Sequence, residues 1–547
     1  MASTQGKRFV TLLITLAMVT GSLLSGCSSS KEGAEKLTGS GSTNAGNKGK
    51  PEISVTIYDR GKVPPQEGTY ENNRWTKWIN DNGPVNVKFV PIPRNQSQDK
   101  LNTLIAAGDA PDLILEYDAN FRNQLYNQKQ LLPIDDLIEK YSTNYKELLN
   151  KYPILKKLGT KPDGKMYEFG TTEAELGSQF YLLIRNDWLK KLNLQMPQTI
   201  DDLYNVAKAF TEDDPNGNHK KDEYGINLSS FSGGGVNQMF GAVNWTLKDG
   251  QMIHDWDRFK AANAFKKKLY DAGIVDKDYL TDSTGQKAIQ DWVTGKLGIW
   301  IAPSGTALDV NNMETLMKNQ PEAEVLPMAL PKTEYGQYNP QLIAPIKTTA
   351  VINADAKDPE AVMKYIDFMV SDQAGNTLHY GIEGQNYKKV NGFPDKTGFT
   401  DINKNQLDWN FDYYQLLYPR VRQKYIDDKM KDLSTPALKK VDELKKAANV
   451  IYLSPDRPVA TFILPEYLPQ LTKELSLIDT TVSKTIDDIW SRAVISGSSY
   501  TIDQAAADAQ STWEKAGGKQ LEEYYRNWYD KNKDEAIYSK DLYNILK

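Results

Sequence analysis

Oxygen-bearing side chains recur along Asp214 to Gly225 (DPNGNHKKDEYG): Asp214, Asn216, Asn218 and Asp222, with Glu223 directly after. Alternate spacing in a tight loop turns such oxygens inward, and the backbone carbonyl of Lys220 fills the intervening slot. A hard cation such as Ca2+ takes about six to eight oxygens at about 2.3–2.6 Å. The chemistry on offer is therefore structural cation binding, with Glu223 as the bidentate carboxylate. The D-x-N-x-N start is that of an EF-hand loop. Two positions depart from it: His219 stands where a glycine is usual, and Gly225 stands where a glutamate is usual. A metal-free Asx-rich turn is the alternative that Asp-Pro-Asn-Gly also supports.

The second reactive group is the thiol of Cys27, the only cysteine in 547 residues. Lys7 and Arg8 precede an apolar stretch from Phe9 to Leu24, which is short for a membrane span but suits a secretory leader. The stretch ends in Leu24-Ser-Gly-Cys27, which looks like a bacterial lipobox, so Cys27 is expected to be lipidated. Two acyl chains suffice for stable anchoring. Residues 1–26 are then a lipoprotein signal peptide. Residues 27–50, rich in Ser, Gly, Lys, Asn and Thr, are a flexible tether that cannot bury enough surface to order itself. The folded part would stand on the extracytoplasmic face of the cell membrane.

Much chemistry is absent. There is no G-x-S-x-G elbow, P-loop or H-E-x-x-H. Three histidines (His219, His254, His379) and one cysteine argue against a zinc cluster and exclude an intrachain disulfide. A net charge of −5 gives no broad attraction to nucleic acid. The chain reads as a non-enzyme and a monomer. A glycosidase carboxylate pair has no fixed spacing, so a secreted polysaccharide-degrading enzyme stays open as an alternative.

The elements that must position these groups alternate. Ile53 to Tyr58, Val85 to Val90 and Asp112 to Tyr117 read as strands. Helices are expected around Arg74 to Asn80 and over Asp99 to Ala107, the latter stopping at Gly108. Strand, helix, strand in this order argues for an α/β sheet that binds ligands beyond the strands' carboxyl ends. That singles out Asp59 and Arg60 after the first strand, and Glu116 and Asp118 at the end of the third. No repeat of about 20–50 residues is visible, so a solenoid is not expected.

Several motifs, in order, carry a family resemblance: Ala107 to Leu115 (AGDAPDLIL), Leu131 to Leu137 (LLPIDDL), Phe180 to Leu189 (FYLLIRNDWL), Thr199 to Leu203 (TIDDL), Thr294 to Ile301 (TGKLGIWI) and Tyr380 to Tyr387 (YGIEGQNY). Together with the run from Ser491 to Tyr529, the chain resembles the family 1 extracellular solute-binding proteins of ABC importers, in their large oligosaccharide-binding lipoprotein branch. The resemblance implies a two-lobed, periplasmic-binding-protein-like α/β fold with an inter-lobe cleft and a helix-rich C-terminal extension. Residues 51–178 and 341–378 would form the N-terminal lobe, and 179–340 and 379–547 the C-terminal lobe. It also implies an oligosaccharide ligand, hinge closure and ABC permease subunits as partners. Alginate-oligosaccharide carriers of this branch have a comparable calcium loop.

Sugars present an apolar C–H face to aromatic rings and a hydroxyl rim to carboxylate, amide or guanidinium groups. With 11 Trp and 30 Tyr in the chain, the candidate platforms are Trp245 beside Gly233 to Gly235, Trp300, and Trp409 with Tyr413 and Tyr414. Trp300 leads, because the matching family strand ends at the cleft. Polar candidates are Asp59, Arg60, Glu116, Asp118 and Gln179. Glu383 either touches ligand or fixes a turn. Trp490, Trp513, Tyr524 and Trp528 read as packing residues of amphipathic helices, and Lys429 to Lys446 as a solvated helix face. A glycan-binding surface protein without transport is the remaining alternative.

Overall fold

Two sheets with separate cores organise the chain. The computed structural model describes residues 49–173, 175–229, 231–390, 393–396, 398–407, 409–416 and 435–545. The leader, Cys27 and the tether up to residue 48 lie outside the described residues, as do 429–434 of the charged run. Among the described residues no helix is long and apolar enough to cross a membrane.

The first sheet has strands in the order Asn86–Pro93, Glu52–Asp59, Leu113–Leu115, Ile346–Ile352, Glu168–Thr172. The first three are parallel, with Glu52 to Asp59 in register against Asn86 to Pro93. Ile346–Ile352 runs antiparallel to both of its neighbours. Alternation explains the packing: Ile53, Val55 and Ile57 point into one core with Val87 and Phe89. Ile92, Ile114 and Val351 point into a second core on the opposite face. Helix Arg74–Asn82 is started by the Asn73 side chain, which accepts from the backbone N–H of Trp75 at 2.8 Å and Thr76 at 3.1 Å. Helix Ser97–Ala107 ends at Gly108, whose φ of 76° is left-handed and costs a glycine little.

The second sheet runs Val325–Pro327, Phe180–Arg185, Leu297–Pro303, Tyr224–Ile226. Phe180–Arg185 is buried along its whole length. Phe180, Leu182 and Ile184 face one core, and Tyr181 and Leu183 face another. Among the described residues, two extended segments run between the lobes and pair with each other. Glu173 N–H donates to Pro345 O at 2.6 Å, Ile343 N–H to Gly177 O at 2.8 Å and Gln179 N–H to Gln341 O at 2.8 Å.

The lobe boundary expected at residue 378 is corrected. Residues 379–416, as far as they are described, stay with the first lobe: Leu407, Trp409, Tyr413 and Leu416 fill the core under helix Arg74–Asn82. Trp75 Nε1 donates to Gln406 O at 2.6 Å, and Asn410 Nδ2 to Leu378 O at 2.8 Å. Helix Pro436–Tyr452 packs on the second lobe, where the Tyr452 hydroxyl donates to Met328 O at 2.9 Å. Helices Lys473–Ile495, Ile502–Lys515 and Gly518–Asn532 then pack around Trp256–Asp271 and the hairpin Thr246–Ile253. They also reach the first lobe: Lys473–Ile495 touches Ala119–Asn127, and the Tyr467 hydroxyl donates to Ile346 O at 3.0 Å.

Candidate functional site

A cavity of about 990 Å3 lies between the lobes and shares a wall with a chamber of about 730 Å3 inside the second lobe. Asn120 and Asn123 line the first-lobe side from helix Ala119–Asn127, which Asp118 caps by accepting from Phe121 N–H at 2.7 Å. Behind them sits a buried charged network. Glu168, 1% exposed, binds Lys161 and lies 3.1 Å from Arg122. Lys161 Nζ also donates to Asn123 Oδ1 at 2.8 Å, and Arg122 to Thr348 Oγ1 at 2.6 Å. Burial alone would push Glu168 up, yet Arg122 and Lys161 together hold its carboxyl below the usual value. Burial lowers Lys161, partly offset by Glu168.

The second-lobe wall starts from helix Ser232–Met239. At Gly235 a Cβ would stand 2.6 Å from Ile301 Cγ2, so glycine lets the helix lie directly on the sheet. This presents Gly234 and Asn237 to the cavity. Aromatic rings continue the wall. Trp245 packs on Tyr525 at 4.4 Å between centroids, and His254 stacks on Phe259 at 4.9 Å and on Trp513 at 5.0 Å. His254 Nδ1 lies 2.9 Å from Asn244 O, which places the proton on Nδ1. Burial lowers its pKa to about 4, so the ring is neutral near pH 7. Its Nε2 is buried without a partner among the described residues, as are Trp490 Nε1 and Asn237 Oδ1.

Three carboxylates complete the wall: Glu466, and Asp479 and Asp487 on one face of helix Lys473–Ile495. Burial raises the pKa of all three, with Lys266 pulling Asp487 partly back and Lys347 doing so for Glu466. Lys266 is itself lowered to about 8 by burial. Glu466 and Asp487 face cavity solvent while protein surrounds them, and burial of that kind still strips a charge of part of its hydration. Among the described residues no cation lies within ion-pair distance of any of the three.

Of the residues singled out from sequence, Trp245 lines both cavities. Asp59, Arg60, Glu116 and Asp118 gather at the carboxyl end of the first sheet but outside both cavities, engaged with one another's surroundings. Asp59 accepts from Gly61 N–H at 2.8 Å, and Arg60 pairs with Asp412 at 2.8 Å. Glu116 accepts from the Tyr58 hydroxyl at 2.8 Å and from Asp118 N–H at 2.9 Å. Gln179 sits in one of the paired segments between the lobes, where its N–H donates to Gln341 O. Glu383 is exposed and pairs with Lys389 at 2.9 Å. Three aromatic assignments are corrected. Trp300 is 2% exposed and stacks on Trp292 at 5.2 Å, because its strand is buried on both faces. Trp409 and Tyr413 fill the first core, where the Tyr413 hydroxyl donates to Tyr70 O at 2.7 Å. Trp490, Trp513, Tyr524 and Trp528 do pack among the C-terminal helices, and they line the cavities as well. Sequence reasoning missed Lys161, Glu168, Asn237, Asp479 and Asp487. One signal was present: Asp479, Ser483, Asp487 and Trp490 form a helical stripe that is polar where a packing face would be apolar.

The oxygen-rich loop folds on itself away from the cavities. Asp214 Oδ1 accepts from Asn218 N–H at 3.1 Å and Oδ2 from His219 N–H at 3.0 Å. Asn216 Oδ1 accepts from Asn218 N–H at 2.9 Å, and Asn218 Oδ1 from Lys220 N–H at 2.7 Å. Asp222 pairs with Lys296 at 2.7 Å. Glu223 is buried, its Oε1 lacks a partner, and its pKa is raised by burial and by Asp222 and Asp214. An orphaned buried carboxylate oxygen beside two like charges fits a hard cation. As they stand, no three acidic, His or Cys side chains among the described residues converge as a metal cluster.

The profile of the family described as "Bacterial extracellular solute-binding protein" matches residues 68–376. The polygalacturonan/rhamnogalacturonan-binding protein YtcQ of Bacillus subtilis is 26% identical over 96% of this chain and 100% of its own length. Lipoprotein LipO of the same organism is 24% identical over 82% of this chain and 87% of its own length. The fructooligosaccharide-transporter substrate-binding protein FusA of Streptococcus pneumoniae is 36% identical over 33% of this chain and 37% of its own length. The FusA structure with kestose overlays with a TM-score of 0.68, at 20% identity over 88% of this chain and 99% of FusA.

Proposed function

The chain belongs to the bacterial extracellular solute-binding proteins, and from that premise we propose that it captures an oligosaccharide between its lobes and delivers it to the membrane permease of an ABC importer. The observation that carries this reading is the aromatic, polar-rimmed cavity of about 990 Å3, walled by both lobes. Its volume lies in the range of small-molecule sites, and the chamber behind it extends it to several sugar rings. Rings such as Trp245 and Tyr525 offer apolar faces to the C–H side of a pyranose or furanose. Asn120, Asn123, Asn237 and the carboxylates meet hydroxyls. The paired segments, residues 173 and 175–179 against 341–345, are the place where lobe rotation would occur, so binding would close the cleft. The names of YtcQ and FusA support a carbohydrate.

Two finer features belong to the same reading. Lipidation at Cys27 would hold the protein at the outer face of the membrane, in keeping with the lipoprotein name of LipO. A calcium ion held by Asp214, Asn216, Asn218, the Lys220 carbonyl, Asp222 and Glu223 would clip the loop and stabilise the second lobe.

The test is titration with neutral and acidic oligosaccharides, followed by thermal shift, solution scattering and chromatography of the recovered sugar. A carrier gains several degrees in Tm, contracts and returns the sugar uncut. Shortened products would establish the enzyme instead, and binding without contraction the rigid glycan-binding surface protein.

A further inference from the structure

The named relatives divide between an acidic glycan, polygalacturonan, and a neutral one, fructooligosaccharide. The cavity wall of this chain bears on that division. Its carboxylates Asp479 and Asp487 border both chambers, and Glu466 borders the inter-lobe one. Among the described residues, none of the three has an ion-pair partner. Of the three lysines of the wall, Lys161 is ion-paired among the described residues, and the other two hydrogen-bond to neutral oxygens, so the carboxylates outnumber the lysines left to meet an anion. Lys161 is held by Glu168 and Asn123, and Lys157 Nζ donates to Glu535 O at 2.8 Å. Lys266 donates to Asn263 Oδ1 at 3.2 Å and sits in the field of Asp487. No arginine lines either chamber among the described residues. Arg60 and Arg94 lie outside them, the first paired with Asp412 and the second stacked on Tyr58 at 4.6 Å.

A sugar carboxylate is ordinarily met by a guanidinium fork or a free ammonium. Here it would meet like charge from two exposed carboxylates and one half-buried one on the same wall. Neutral hydroxyls donate well to such carboxylates. The wall also holds donors and acceptors waiting for a partner. Trp490, 4% exposed, has an unpartnered Nε1, and His254 has an unpartnered Nε2 acceptor. We propose that the ligand is an uncharged oligosaccharide, whose hydroxyls are accepted by Asp479, Asp487 and Glu466, and that the same carboxylates exclude uronates. This inference rests on the carbohydrate-carrier reading and adds a charge selection to it.

The experiment is isothermal titration of the full folded chain at pH 7 and physiological salt. The ligands are neutral fructo-, xylo-, manno- and galacto-oligosaccharides of three to five units, oligogalacturonates of the same lengths, and their carboxyl-reduced counterparts. The expected result is that the tightest neutral sugar binds at least tenfold more tightly than any uronate. Reduction of the uronates should recover affinity. The variant Asp479→Asn with Asp487→Asn should narrow the ratio. A uronate that binds more tightly than every neutral sugar overturns the charge selection while leaving the carrier reading intact. Failure of the whole panel to bind overturns both.

Discussion

The strand ends of the first lobe and the cavity wall of the second are both rich in charge and aromatic rings, yet they are built differently. In the first region charges are matched: Arg60 with Asp412, Lys347 with Glu173 at 2.7 Å, and Glu116 with a tyrosine hydroxyl and a backbone N–H. Deeper in the same lobe, Arg122 and Lys161 share the one carboxylate of Glu168 in full burial, so each charge there has an ion-pair partner. In the second region Asp479, Asp487 and Glu466 have no ion-pair partner among the described residues, with only the more distant Lys266 and Lys347 acting on Asp487 and Glu466, and His254 and Trp490 keep nitrogens without a partner there. Matched charge holds a lobe together. Unmatched polar groups in a cavity weaken the empty protein and are satisfied only when something else enters.

The largest expected effect lies in the first region. Glu168→Ala strands two buried cations and should cost about 3–5 kcal/mol in a urea titration. A cost under about 1 kcal/mol would mean that the network is not the anchor its burial suggests.

Acid should separate the regions next. His254 has its pKa lowered from 6.5 to about 4 by burial, so the unfolded chain takes up the proton first. Stability is therefore lost as pH falls from about 6.5 toward 4. Glu168 is held below its usual value, so its contribution persists above the unfolded carboxylate pKa and fades only as pH falls further. Near-UV circular dichroism from the tryptophans should thus change between pH 6.5 and 4, and His254→Phe should flatten that change.

A smaller effect is expected at the paired strand ends. Arg60→Lys keeps the charge but loses the two-point contact with Asp412, at 2.8 and 3.1 Å. Because the arginine is partly solvent-exposed, it should cost about 1 kcal/mol or less and leave sugar affinity unchanged. A tenfold loss of affinity would move the ligand toward the first lobe.

The smallest effect has the opposite sign. Asp479→Asn removes a charge whose pKa burial has raised, which means the folded state pays for ionisation as pH rises through that pKa. At pH 7 the unliganded variant should be more stable by about 0.5 kcal/mol, while binding the proposed neutral sugar less tightly. Loss of stability and of affinity together would make Asp479 a structural residue.

The alternation of Ile53, Val55 and Ile57, the stop at Gly108 and the ordered motifs made the α/β elements and the two-lobed family fold legible without coordinates. Trp245 was legible as a cavity residue. Trp300 was not, because Leu297 to Ala302 is buried on both faces, and alternation cannot distinguish a core face from a cleft face when both are apolar. The lobe assignment of 379–416 was hidden for a related reason. Trp409 and Tyr413 suit a ligand platform and a core equally well, and only contact with helix Arg74–Asn82 decides between them.

By itself the sequence determined local periodicity, the helix and strand order, the oxygen-rich spacing of Asp214 to Glu223 and the chemistry available at Cys27, since these depend on neighbours along the chain. Tertiary structure decided which charges meet. Arg60 finds Asp412 and Lys161 finds Glu168, whereas Asp479 and Asp487 have no ion-pair partner among the described residues. Pairing of that kind depends on distances through space between residues far apart in sequence, and the strength of each charge depends on how much water the fold leaves around it.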